Sequence, residues 1–501
     1  MKKEALFLIL LAFLALGVRA AMWSRVEMVQ PDEAYFIWMG QHLAEGKSVG
    51  EFQVMERGFK GQLSFPRVFG FITRSSMDPV AACQWVSILL GVLTLLPFHS
   101  CVRSFASLTD ALWADLFYAL SPITIQYSLW AMPHSLFNVC LVLLVFFALR
   151  GLKSGRSIWM GLAGFAAAGA YLARVEGILL AAAFFVTALI FRWFRRRNLF
   201  IFAAAFAIGS FPYWFWLHQE TGIWQLTWSE GRGVSGIYVD FISKLIRNPS
   251  LSALANFYFR NFYGGYLLLP KILPLVFWVL AGSGAIRILR RGPQEVRALG
   301  MVIFFSAFPL FLYPLLEAVE ARFLSPTVLF LFMLAGAGIP FLPEAGPGRR
   351  RLVTGILFIL AWGSFLPGTV SLWKSFREDA MEQKKLGEWV LAEHGRNPKV
   401  LFGSDSRLCF YARSACKRFV GMRQAVEAQK TGEDLAPFLE KQGVDFIAMD
   451  TRYVPKFYPS LQSLLADPPK EWRPLKELSE RGEKIILYEW EKPVPRPTGN
   501  G

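Results

Sequence analysis

Four residues near the start of the chain, Gln30-Pro31-Asp32-Glu33, have the makings of a proton-accepting site. Proline suits the first turn of a helix, so Asp32 and Glu33 are expected in an N-terminal turn, where the dipole and free N–H groups favour an ionised carboxylate. Such a group can take a proton from an acceptor hydroxyl as a general base when the two lie within ~3 Å. It can equally hold a metal ion or cap a surface helix, and on the dipeptide alone capping is the simpler role. Other charges sit beside apolar runs: Arg174 with Glu176, Glu317 and Glu320 with Arg322, and Lys271. Charges so placed are costly unless paired or engaged with a substrate. Guanidinium groups suit bidentate phosphate binding, while salt bridges between helix ends are the plainer role for each pair. His134 and His218 read as interfacial packing. No phosphate-cradling glycine loop, metal-type cysteine pair or HExxH motif occurs, and the five histidines are scattered.

A membrane bundle must hold these groups in place. The chain has 501 residues, 54% hydrophobic and 15% aromatic, with 18% charged and a mean hydropathy of +0.38. A soluble domain carries about 25% charged residues, so these values mark a polytopic all-α membrane protein and exclude disorder, collagen-like repetition and a small disulfide scaffold. About eleven apolar runs are long enough to cross a ~30 Å hydrocarbon core. They centre on Leu11, Leu90, Phe117, Leu141, Ala166, Phe184, Ala205, Val276, Phe305, Phe330 and Phe358, the fifth and sixth being short. With the N-terminus in the cytoplasm, the inside loops collect Lys2 and Lys3, Arg103, Arg150 to Arg156, Arg192 to Arg197, Arg287 to Arg297 and Arg349 to Arg351. Glu4, Asp110, Glu295 and Glu344 are the acids of those loops, so most of the formal +16 is a positive-inside signal rather than a nucleic-acid footprint. The first run, with Lys2 and Lys3 ahead of it and Ala20 and Ala21 behind, also has the makeup of a cleaved signal peptide.

This topology assigns three segments to the outer face: Trp23 to Asp78, His218 to Leu269, and everything after Trp373. Phe36, Met39 and Leu43 fit one face of a helix lying on the bilayer, and Trp214, Trp216, Trp224 and Trp228 resemble an interfacial belt. Residues 1–373 read as a transmembrane domain with outer loops at about 23–78 and 218–269, and 374–501 as a small extracytoplasmic α/β domain. In the latter, Lys399–Gly403, Asp445–Met449 and Lys484–Trp490 read as strands and Glu433–Gln442 as a helix. The charges of this domain nearly cancel, which argues against nucleic acid. Cys409 and Cys416 leave a disulfide open, whereas Cys83, Cys101 and Cys140 read as packing residues within or beside spans.

Three segments together resemble a family. Pro31-Asp32-Glu33-Ala34-Tyr35 in a long first outer loop, Tyr171-Leu172-Ala173-Arg174-Val175-Glu176-Gly177, and Arg322-Phe323-Leu324-Ser325-Pro326 look like the GT-C glycosyltransferases, in particular the bacterial protein O-mannosyltransferase and aminoarabinose-transferase-like group. The resemblance covers about the first 370 residues, and the Asp-Glu pair is its most specific part.

It implies inverting transfer of a sugar from a polyprenyl-phosphate carrier to a hydroxyl or amine on the outer face of the cell inner membrane. Asp32 matches the family's catalytic aspartate, with Glu33 supporting it or positioning the acceptor. Arg322, Arg174 and Lys271 are the candidates for stabilising the departing phosphate. Glu176 and Glu56 are possible supports. The expected partners are the polyprenyl-phosphate-sugar donor, an acceptor lipid, glycan or protein, and membrane lipid. Glu56 and Arg57 are present, but the lysine-proline run of aminoarabinose transferases is not, so donor identity stays open. So does a divalent metal, which some members of the wider fold use and others do not. A transporter or flippase of a lipid-linked saccharide is the alternative. It fits less well, because the charges cluster at span ends and no internal repeat is evident. A membrane scaffold with a recruiting outer domain would leave the Asp-Glu loop idle.

Overall fold

A computed structural model describes residues 2–26, 28–47, 64–73, 78–222, 224, 273–312, 324–339, 355–356, 359–361, 363–370, 381–395, 397–480 and 483–491. It divides into two compact units, one of residues 1–25 with 60–375 and one of residues 26–59 with 376–501.

The first unit is a multi-span membrane bundle. Among the described residues, five helices are long and apolar enough to cross a bilayer: Glu4–Trp23, Pro79–Arg103, His134–Ser154, Arg196–Glu220 and Pro293–Phe311. Shorter apolar helices accompany them at Ser157–Ala173, Glu176–Ile190, Leu275–Leu289, Ser325–Gly338 and Ile359–Val370. Every residue of Ser325–Gly338 is buried, which makes it a central helix. Its glycines let neighbours approach at backbone distance: a Cβ on Gly336 would run into Asp110 and Ala114, and one on Gly338 into the Leu280 carbonyl. Close packing of this kind takes the place of a hydrophobic driving force inside lipid.

Polarity is inverted relative to a soluble protein. The first helix, α1 (Lys2–Trp23), exposes Leu10 and Phe13 but buries Arg19 completely. Pro122 interrupts the ladder between Leu108–Leu120 and Pro122–Leu129, and the Ala119 carbonyl at that break accepts from Arg19 Nη1 at 2.9 Å. Arg19 Nε donates to Ser128 Oγ at 2.9 Å, so α1 is stitched to the neighbouring helices. Replacing Arg19 with Ala removes the donor to that carbonyl in an apolar interior, while the Ser128 hydroxyl keeps its bond to the Ile125 carbonyl. We expect a loss on the order of 2 kcal/mol, read as a lower unfolding midpoint of the detergent-solubilised protein. At the helix ends that the sequence assigns to the cytoplasm, Glu4 and Asp110 are both used as partners. His99 bridges Asp115 at 2.6 Å and Glu4 at 3.0 Å, Arg103 joins Glu4 at 3.2 Å, and Arg287 joins Asp110 at 2.9 Å.

The second unit is a five-stranded sheet in the order β2-β1-β3-β5-β4, with β1 Lys399–Gly403, β2 Cys416–Gly421, β3 Phe446–Asp450, β4 Trp472–Glu480 and β5 Glu483–Trp490. β2, β1 and β3 run parallel, and β5 and β4 add on antiparallel. Three of these strands are those read from the sequence. β2 and β4 are additional: Lys417 and Arg418 mask the first, and the second is an edge strand with Pro474 at a register shift, where a missing N–H is tolerated. Cys409 and Cys416 form a disulfide with Cα atoms 5.3 Å apart, closing the short path into β2. Cys83 and Cys101 are buried and Cys140 partly so. Changing Cys409 to Ser should cost about 2.5 kcal/mol by loop entropy. Comparison of unfolding with and without reductant tests this: only the parent protein should respond.

The helix α2 (Pro31–Ala44) belongs to this second unit. Met39 and Ile37 are fully buried, and Trp38 packs on the core beneath Phe410, ring centroids 6.5 Å apart. The apolar residues expected to lie on the bilayer are thus partly taken up by protein packing.

Candidate functional site

Pro31 opens α2, with Gln30 extended at φ −73° and ψ 153° as its N-cap. The two acids of the pair then diverge. Glu33 is fully buried and accepts the Gln30 backbone N–H at 3.0 Å, so its carboxylate closes the helix start. Asp32, one residue earlier, projects to the surface. Glu33 therefore fixes the turn, and of the two carboxylates Asp32 is the exposed one. The entry to the helix is pinned again by Tyr411, whose hydroxyl accepts the Val29 N–H at 2.9 Å. Burial above all, with the Glu33 charge adding to it, pushes the Tyr411 phenol up to about 12, so it stays a neutral strut.

Arg174 and Glu176 meet in the membrane unit, at the junction of helices Ser157–Ala173 and Glu176–Ile190. Arg174 Nη2 donates to Glu176 Oε1 at 2.7 Å and Nε to Oε2 at 3.3 Å, a fork-on-fork pair. Arg174 Nη1 lies 2.9 Å from His134 Nδ1. A guanidinium donates only, so this imidazole nitrogen accepts and the His134 proton resides on Nε2. Both side chains of the ion pair are nearly enclosed, at 13% and 11% exposure. The site thus holds a guanidinium whose plane is fixed on one edge by a carboxylate and at one corner by an imidazole.

Of the other candidates, Arg322, Lys271 and Glu56 lie outside the described residues. Asp32 and Glu33 belong to one compact unit and Arg174 and Glu176 to the other. Two residues gain roles that the sequence did not signal. His134 is the partner of Arg174 as well as a packing residue, with its ring edge-on to Tyr127. Arg67 sits 3.9 Å over the Trp216 ring. Trp214, assigned to an interfacial belt, donates to the Tyr171 hydroxyl at 2.8 Å within the motif segment, and Trp224 stacks on His218 with centroids 4.4 Å apart. Trp228 lies outside the described residues. Among the described residues, no group of three or more His, Cys, Asp or Glu side chains is placed to hold a metal ion.

Residues 68–216 match the model of a family described as dolichyl-phosphate-mannose-protein mannosyltransferase. No curated protein matches the chain by sequence. Among solved structures, the chain is similar to ArnT from Cupriavidus metallidurans bound to undecaprenyl phosphate, with a TM-score of 0.61 at 14% identity over 96% of this chain and 97% of that one. It is also similar to the apo oligosaccharyltransferase of Archaeoglobus fulgidus, with a TM-score of 0.64 at 11% identity over 96% of this chain and 74% of the other. A third likeness is to the mycobacterial arabinofuranosyltransferase AftD, with a TM-score of 0.51 at 14% identity over 95% of this chain and 41% of that one. Identities this low speak for the fold alone. Over residues 68–216 the chain is thus similar to a mannosyltransferase family, and its fold is similar to that of these membrane glycosyltransferase structures.

Proposed function

We propose that the chain transfers one sugar from a polyprenyl-phosphate carrier to an acceptor hydroxyl or amine on the outer face of the membrane, inverting the anomeric carbon. The observation that carries this reading is the family signature, which spans the Arg174-Val175-Glu176 segment, on a fold similar to a structure that binds undecaprenyl phosphate. Asp32 takes the acceptor proton as the acceptor oxygen or nitrogen attacks the anomeric carbon. The bond from that carbon to the phosphate oxygen breaks on the opposite side, and polyprenyl phosphate leaves with the electron pair. The developing negative charge needs preorganised cations, the role assigned to Arg174 in its fixed frame and to Arg322 and Lys271. Glu33 contributes by holding the turn that presents Asp32, and Glu176 by holding Arg174. Glu56 keeps a supporting role in the same loop as Asp32.

The test is a purified-protein assay with a polyprenyl-phosphate donor labelled in its sugar. The expected result is label in covalent linkage to an acceptor, with release of polyprenyl phosphate. Label that crosses a vesicle membrane while still on its carrier would make the chain a flippase instead.

A further inference from the structure

The C-terminal unit carries a cluster of buried polar side chains that the proposed transfer reaction does not use. The chain leaves β1 towards β2 on one side and leaves β3 towards β4 and β5 on the other, so the carboxyl ends of β1 and β3 flank a topological switch point. Open α/β sheets bind ligands at such a point. The segments there are polar: Ser404-Asp405-Ser406-Arg407 after β1, and Asp450-Thr451-Arg452-Tyr453 from the end of β3. Glu382 and Gln383, from the helix Met381–His394, join them, and Glu382, Gln383, Asp405, Arg407 and Asp450 are all buried.

Two of the acids are matched by guanidinium groups, Asp405 by Arg407 at 2.5 Å and Glu483 by Arg452 at 3.1 Å. Among the described residues, Asp450 is held by neutral donors: the Arg452 and Tyr453 N–H groups at 2.7 and 3.0 Å and the Gln383 amide at 2.7 Å. Glu382 differs from all of these. It is 4% exposed, its carboxylate accepts its own backbone N–H while Oε1 has no hydrogen-bond partner among the described residues, and it lies within electrostatic reach of Asp450, Glu483 and Arg452. Burial above all, with the Asp450 charge adding to it, holds the Glu382 carboxyl above the ordinary glutamate range. An enclosed carboxylate oxygen without a donor is destabilising, and one beside a second carboxylate more so. A neutral hydroxyl would supply the missing hydrogen bond only. An ammonium group supplies the hydrogen bond and the countercharge together, and no described set of three or more acid, His or Cys side chains here is arranged for a metal ion.

We propose that the polar cluster at the carboxyl ends of β1 and β3 binds a small molecule through a primary ammonium group, with Glu382 as its principal acceptor and Asp450 as the second charge. The inference does not rest on the transfer reading, since it concerns binding in a different unit from the Arg174 site.

Equilibrium dialysis of labelled ethanolamine against the purified full-length protein in detergent is the direct test, with ethylene glycol, a neutral isostere, as competitor. A single saturable site that ethylene glycol does not compete for is expected, and Glu382→Gln should weaken it at least ~10-fold, about 1.4 kcal/mol. If that variant does not fold, as judged by circular dichroism, Glu382→Asp decides: withdrawing the carboxylate by one methylene should weaken binding. Absence of saturable binding, equal competition by ethylene glycol, or unchanged binding by the folded variant would overturn the proposal.

Discussion

Asp32→Asn should leave the protein folded and remove sugar transfer. The side chain is exposed at the second position of α2, so the substitution loses only the favourable placement of a carboxylate near a helix N-terminus, ~0.3–1 kcal/mol. Shape is retained, and Glu33, which closes the turn, is untouched. Chemistry should respond very differently. An amide cannot accept the acceptor's proton at neutral pH, and positioned general bases contribute typically ~100- to 10,000-fold. Turnover of a labelled lipid-phosphate sugar by the variant should fall by that order with an unchanged unfolding midpoint. Wild-type turnover in a folded variant would remove Asp32 from the mechanism, and Glu33→Gln would then separate the two acids: it should disturb the helix start and lower the unfolding midpoint.

The second large effect is expected at Glu176. Glu176→Ala leaves the Arg174 guanidinium nearly enclosed and without its carboxylate, a loss of about 3–5 kcal/mol by comparison with other broken buried pairs. Glu176→Gln is the informative companion, since it keeps one acceptor oxygen for Nη2 or Nε and removes the charge. If Arg174 meets the donor phosphate, donor KM should rise about tenfold in the Gln variant, equivalent to ~1.4 kcal/mol, while acceptor KM holds. A lower unfolding midpoint with donor KM unchanged would reduce Arg174, Glu176 and His134 to a tie between helix ends.

Much of the bundle was legible because apolar runs of spanning length admit few other structures, and every proposed span centre within the described residues falls on a helix. Val276 lies at the start of its helix, Leu275–Leu289, because the apolar run extends further than its sequence-read centre. The helix start at Pro31 was legible for a local reason, a proline ahead of two acids. What the sequence withheld concerns which surface an apolar stripe meets. Met39 and Trp38 would suit lipid or protein equally well by composition; Met39 is fully buried, and Trp38 packs on the C-terminal core. The division of labour between Asp32 and Glu33 was hidden too, since it depends on the rotamer that brings the Glu33 carboxylate back to the Gln30 N–H. His134 could not be linked to Arg174 from positions forty residues apart. Cys409 and Cys416 were ambiguous because a spacing of seven permits a bond without requiring one; the 5.3 Å Cα separation resolves it.

The proposal as a whole depends on the Asp32 carboxylate facing the compartment where the lipid-linked sugar is presented. Labelling of Asp32→Cys with a membrane-impermeant thiol reagent in intact cells addresses this with little background, since Cys409 and Cys416 are joined and Cys83 and Cys101 are buried. The introduced thiol should react from outside without permeabilisation. Reaction only after the membrane is opened to the cytoplasm would contradict the assignment.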